Sequence, residues 1–227
     1  MKPLYKTLIA LCASLSLTGC VSILGDHVRY TEEVKLSDGK VVVIQRHAEL
    51  TASGFPSQRR GFVKYFEICY PPMNIHWKSK GGYKPDIFDI VDGKAYMHVP
   101  ISGCRICAFY NNPPTSALYF VWENGAWKRI PHEEFPAQSE WNLLMQTTGG
   151  VSRSDDPRGL ITLADKTTGK WIDSSLRYSQ QYHGWRRVNE DPDYVRNSCK
   201  EWNCNYTYPD ATGELDLFVD NVNTCKR

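Results

Sequence analysis

Three short peptides constrain this chain more than any other feature: Asp38-Gly39, Asp92-Gly93 and Asn124-Gly125, each set between two runs rich in β-branched and aromatic residues. Asp-Gly and Asn-Gly pairs accept positive φ at little cost, and turns of that kind match the right-handed twist of the strands they join. The expectation is three hairpins: Val28–Lys35 with Lys40–Arg46, Ile87–Val91 with Lys94–Val99, and Leu118–Glu123 with Ala126–Ile130. Further strands are expected at Leu160–Ala164 and Lys170–Ser174, around Thr168-Gly169, and at Glu214–Asp220, where Leu215, Leu217 and Val219 share a face. Helical signals are sparse. Ser139–Thr147 has room for two turns, Leu176–Val188 is weakly patterned, and Asp191-Pro192 suits an N-cap followed by the first helical position. The fold class that follows is mainly β: an antiparallel sandwich or open barrel built from hairpins, with one to three short helices. The irregular spacing of the turns makes a repeat of four-stranded meanders the second architecture.

The first twenty residues carry a different signal. Lys2 and Lys6 precede an apolar stretch, Leu8 to Leu17, that ends in Leu17-Thr18-Gly19-Cys20. An apolar run of about ten residues is too short for the ~20 that span a bilayer. The arrangement resembles a bacterial lipoprotein signal peptide. That resemblance implies removal of residues 1–19, lipidation of Cys20 and a membrane anchor made of lipid alone, with residues 20–26 as tether. Val21 after the cysteine, in place of Asp, points by the enteric sorting rule to the outer membrane over the inner. Residues 27–227 then form one disulfide-stapled, β-rich domain in the periplasm or at the cell envelope.

Removing residues 1–19 takes away Lys2 and Lys6 and no acid, so the net charge of +2 falls to zero, with 25 cations against 25 anions. A neutral balance offers no electrostatic footprint for nucleic acid. The same cut sets aside two of the eight cysteines, Cys12 and the lipidated Cys20. The six left are Cys69, Cys104, Cys107, Cys199, Cys204 and Cys225, an even set in an exported chain, which reads as a disulfide framework. They fall into two groups of three, so full oxidation requires at least one bridge between the groups.

Cys104-Arg105-Ile106-Cys107 also has the Cys-x-x-Cys spacing of thiol oxidoreductases and zinc knuckles. A redox pair wants its first thiol at a helix start, and Pro113-Pro114 leaves little room for that helix. Zinc would need a second pair, which Cys199 and Cys204 match poorly. Structural disulfides are the expectation.

Other chemistry-bearing residues form no recognisable set. There is no Gly-x-Ser-x-Gly elbow, no phosphate-binding glycine loop and no calcium loop. His132-Glu133-Glu134 lacks the second histidine of a zinc protease and sits between Pro131 and Pro136, as a turn would. His27, His47, His76, His98, His132 and His183 are scattered, and His98, on a strand beside Tyr96, is expected to be packed and hydrogen-bonded. No catalytic residue, metal site or cofactor is expected. In the Asn124-Gly125 hairpin, Trp122 faces Trp127 at a non-hydrogen-bonded site and Phe120 shares their face. Such a cluster is a packed cross-strand pair or, if turned to solvent, a binding platform for a sugar or peptide. Ser152–Gly159 reads as an exposed loop, and Arg186-Arg187 beside Trp185 as solvated cations. The functional expectation is therefore an envelope lipoprotein with a non-enzymatic binding or structural role and an envelope protein as partner. A narrower version is an inhibitor or immunity-type protein that neutralises an exported toxin or hydrolase. The alternative is an envelope enzyme, either a hydrolase or a thiol oxidoreductase using Cys104 and Cys107.

Overall fold

A computed structural model describes residues 27–50, 63–80, 83–101, 104–113, 115, 117–144, 159–168 and 199. The lipobox with Cys20, the loop at 152–158, the elements expected within 170–198 and 214–220, and Cys204 and Cys225 lie outside them.

Alternation dictates the first sheet. In β1 (His27–Lys35) Tyr30, Glu32 and Val34 are buried, and in β2 (Val41–Leu50) so are Ile44, Arg46, Ala48 and Leu50. Their partners are β3 (Val63–Tyr70) and β4 (Ile75–Lys80), which the sequence reading missed. The β3–β4 turn has no Asp-Gly signal: Pro71–Met73 make one turn of 3-10 helix and Asn74 closes it at φ 51°. A two-residue strand, β9 (Leu160–Ile161), pairs parallel to β1, giving the order β4-β3-β2-β1-β9.

The second sheet, in the order β5-β6-β7-β8, is built from the other two expected hairpins: β5 (Ile87–Val91) with β6 (Lys94–Pro100), and β7 (Ala117–Glu123) with β8 (Ala126–Ile130). Both loops have two residues with positive φ, 50° and 74° at Asp92-Gly93 and 53° and 79° at Asn124-Gly125, as type I′ turns require. The β1–β2 loop differs. Leu36 N–H donates to the Lys40 carbonyl (2.8 Å) and Gly39 N–H to that of Leu36 (2.9 Å), so the loop is Ser37–Gly39, with Gly39 at φ 85°. The extra residue sets the register Val34↔Val42 and Lys35↔Val41.

The sheets meet face to face over a shared core. Ile44, Phe66, Ile68 and Trp77 of the first pack with Phe88, Met97, Val99 and Phe120 of the second. Trp77 stands edge-on to Phe120 with centroids 4.9 Å apart, and Tyr70 does the same to Phe88 at 5.6 Å. The architecture is the expected antiparallel two-sheet one, without barrel closure and with only two short helices in the described residues.

Both helices correct a detail of the sequence reading. Leu160–Ala164 is not one strand, because the chain turns into α2 (Leu163–Thr168) after Ile161. Thr162 and Asp165 cap that helix reciprocally: Thr162 N–H donates to the Asp165 carboxylate (2.9 Å) and Asp165 N–H to Thr162 Oγ1 (3.1 Å). The cysteine pair does sit in a helix, α1 (Cys104–Phe109). It ends before the prolines at Asn111 and Asn112, both in the left-handed region (φ 61° and 46°), so Pro113 lies beyond the helix and does not obstruct it. Cys107 is buried and bonded to Cys199, 92 residues away. Closing a loop of that length removes about 4–5 kcal/mol of unfolded-state entropy in the chain model.

Residues 139–144 are not the expected helix, because they run along the edge of β5 and their polar groups are committed there. The Asn142 side chain completes that edge as a strand would: it accepts from Phe88 N–H (3.0 Å) and donates to the Phe88 carbonyl (2.7 Å). Its amide also donates to the Lys35 carbonyl of β1 (2.9 Å), joining the two sheets. Asp89 works beside it, accepting from Ser37 N–H and from Ser139 Oγ.

Removing the Asn142 amide orphans buried backbone groups on both sheets. Asn142→Ala is expected to lower stability by about 2–4 kcal/mol, since each unmet buried group costs roughly 1–3. Urea titration checks this: the midpoint falls with an unchanged slope.

Candidate functional site

The described titratable groups include two buried clusters, while others pair at the surface, among them His47, Glu67 and Lys78, with the His27 ring stacked on that of His47. The larger cluster centres on Glu32, which β-alternation places on the apolar face of β1 together with its hairpin neighbour Arg46 on β2. Arg46 Nη1 donates to Glu32 Oε2, while Lys166 Nζ (2.6 Å) and Leu144 N–H (2.7 Å) donate to Oε1. Lys166 also donates to the Asn142 carbonyl (2.8 Å). The remaining guanidinium nitrogens, buried without hydrogen-bond acceptors, lie between the rings of Phe66 and Tyr30, with centroids 4.7 and 5.5 Å from Cζ.

Burial pushes the Glu32 carboxyl up, but Arg46 and Lys166 together outweigh it and hold it below the usual range. Burial likewise draws Lys166 down, more than the Glu32 and Glu33 carboxylates can restore beside the Arg46 cation. Lys84, which also feels Arg46, is pushed down to about 8, chiefly by burial. Every atom of the Glu32 carboxylate is committed to strand, helix or loop, so the cluster holds elements together.

The second cluster is the buried pair Asp86–His98, packed between Tyr119 (centroid 5.0 Å) and Phe135 (6.1 Å). Tyr119 donates to Thr115 (2.9 Å), and burial pushes its phenol up to about 12. His98 is thus a packed, hydrogen-bonded core histidine on the covered second face of sheet two, and His132-Glu133-Glu134 is a turn of 3-10 helix beside it.

The tryptophan pair forms as the register requires, Trp122 opposite Trp127 with centroids 5.3 Å apart. Its role is a seam between sheets. Trp127 stands edge-on to Trp77 (5.5 Å) and donates its indole N–H to the His76 carbonyl on β4 (2.9 Å), while Phe120 is buried in the core. Of the cysteines, Cys69 is also disulfide-bonded, and the thiol that an oxidoreductase would need at Cys107 is bridged to Cys199.

An open groove lies at the mouth of the sandwich, at the hairpin tips. Leu36, Val42, Tyr70, Met73 and Ile90 line a groove of about 670 Å³, rimmed by Asp38, Lys40 and Asp92. On the other face of β2, alternating with Val42, are Val41 and Val43, the exposed large hydrophobic residues among those described, at 49% and 47%. No sequence motif marks this groove, because it needs residues of four segments. The two valines were legible as one polarity break in an alternating strand. Comparison with protein-family models, curated proteins and solved structures returns no match.

The charge cluster sets a pH signature. Glu32 titrates lower folded than unfolded, so its contribution is complete above its ordinary value of 4.5 and is lost as pH falls below it. Lys84 has the same sign at higher pH: between about 8 and its ordinary 10.5 the unfolded chain binds more protons, so stability again rises with pH, here because the cost of burying its charge is relieved. Glu32→Gln is expected to cost about 3–5 kcal/mol at neutral pH, as for a buried pair that loses one partner. It should also flatten the acid limb of a denaturation-midpoint profile; an acid limb identical to wild type would contradict the assignment.

Proposed function

We propose that this chain is a lipid-tethered envelope protein whose domain binds another protein through the hairpin-tip groove. The observation that carries the reading is the concave apolar lining of the groove, made by Leu36, Val42, Tyr70, Met73 and Ile90. On the face of β2 opposite Val42, Val41 and Val43 are the large hydrophobic side chains left half exposed among the described residues. Isolated exposed apolar residues need no explanation, but a concave lining of apolar side chains with a few polar groups at its rim is what a binding site presents. The titratable clusters favour binding over catalysis because their groups are committed to holding β1, β2, β5 and α2 in place.

The tether fits this reading. β1 begins at His27 and ends at Lys35, so the chain that would carry the lipid joins one end of the sheet and the groove opens at the other. At about 3.3 Å per residue those ends are some 25–30 Å apart. An anchor at Cys20 would thus leave the groove facing away from the membrane, within reach of a partner. An inhibitor or immunity-type role is one form such binding takes, with the partner an exported toxin or hydrolase.

Two measurements test the proposal. Growth with a labelled fatty acid should label the wild-type protein and not Cys20→Ser, which should leave the membrane fraction; equal labelling would contradict the anchor. A benzoylphenylalanine placed at Met73, in the groove, should give a discrete ultraviolet-dependent adduct in intact envelopes, while the same group at Lys64 should give none. An envelope without a Met73 adduct contradicts the binding role.

A further inference from the structure

The edges of the two sheets are treated unequally. The β5 edge is completed by the Asn142 amide, and the β4 carbonyl at His76 is met by Trp127. On the far side of β1, β9 supplies the Gly159 carbonyl to Thr31 N–H (2.9 Å). β8 is five residues long and carries exposed Lys128 and Arg129. These are the ordinary ways of blunting an edge: cover, shortness and charge.

Among the described residues, one stretch has none of them. β3 pairs with β2 only from Cys69↔Gln45 onward, because at Pro71 the chain leaves the sheet. Among the described residues, Val41–Ile44 of β2 therefore run on with β1 on one side and no strand on the other. The Leu36–Lys40 hydrogen bond fixes the phase, so that Val42 and Ile44 exchange bonds with β1 while the N–H and C=O of Val41 and Val43 point to the vacant side. Pro71 has no N–H to offer there, and its carbonyl accepts from Asn74 (2.9 Å). On the inner face of this edge lies the groove, and on the outer face the exposed valines.

We propose, building on the binding reading above, that the groove's partner is an extended segment of another protein that adds as a short strand along Val41–Val43. Donors and acceptors repeating every second residue match an extended backbone and not a helix, whose own groups are already paired. The incoming strand's inward side chain enters among Tyr70, Met73 and Ile90, so it is apolar; its outward neighbours lie beside Val41 and Val43, where β-branched residues pack best. Proline is excluded from the pairing positions.

A phage-displayed library of random dodecamers, selected on the full-length lipidated protein in detergent, tests this. Selected peptides should share an apolar residue flanked by β-branched ones and contain no proline among them. Their affinity should fall at least tenfold in Val43→Pro, which removes one N–H on the open side and leaves pairing with β1, and little in Val43→Thr. Val41→Pro is the second variant. If either proline variant misfolds, slowed hydrogen exchange at Val41 and Val43 in the peptide complex reads the contact directly. Equal binding to folded Val43→Pro, a helical consensus, or sedimentation showing that the edge is occupied by a second copy would overturn strand addition. The Met73 adduct separates the two readings: an adduct that persists in Val43→Pro sinks strand addition alone, and no adduct in wild type sinks the binding role itself.

Discussion

The Glu32 carboxylate is the point on which most of the described structure turns. It is buried, yet one oxygen takes the Arg46 guanidinium from the neighbouring strand, and the other takes Lys166 from α2 and the backbone of Leu144. Removing an ion from water costs several kcal/mol, and only tight geometry with added hydrogen bonds recovers it. Here one anion serves two cations, and the aromatic faces of Phe66 and Tyr30 shield the rest of the guanidinium. The consequence is topological as much as energetic. Segments distant in sequence, near 32, 46, 144 and 166, cannot separate without exposing an unpaired buried charge.

From that anchor the chain between 139 and 144 is led along the open side of the sandwich. Asn142 completes β5 and reaches β1, while Asp89 gathers Ser37 and Ser139. On the opposite side Trp127 reaches across to β4. A two-sheet fold without barrel closure has to manage its edges one by one, and side-chain amides, an indole and a two-residue strand do so here. The corner at Val41–Val43 differs because the β3–β4 turn comes early, at two consecutive prolines that cannot continue the ladder.

How much of this was legible follows from what each feature depends on. The hairpins at 87–100 and 117–130 were readable because Asp-Gly and Asn-Gly pairs act locally, and they fix the Trp122–Trp127 register without help from the rest of the fold. β3 and β4 escaped notice because Pro71-Pro72-Met73-Asn74 lacks the glycine that marks the other turns, although Tyr65, Glu67 and Cys69 alternate with Phe66 and Ile68. The helix after Ile161 was announced by Thr162 and Asp165, a capping pair hidden by the nearby Thr168-Gly169. Glu32 and Arg46 could have been placed by counting in twos from Val34 and Ile44, but Lys166 could not, since its distance from Glu32 is set by tertiary packing. The groove was the least readable, being the space left where four segments end at different heights.

Strand addition requires that the side of Val41–Val43 left vacant among the described residues be an available β edge in the free protein. Residue-resolved amide hydrogen exchange on the purified, lipidated, full-length chain tests it most directly. Exchange is expected to alternate along β2: fast at Val41 and Val43, slow at Val42 and Ile44, whose N–H groups face β1. Slow exchange at all four positions, in a monomer without added partner, would mean that the edge is already occupied and would contradict it.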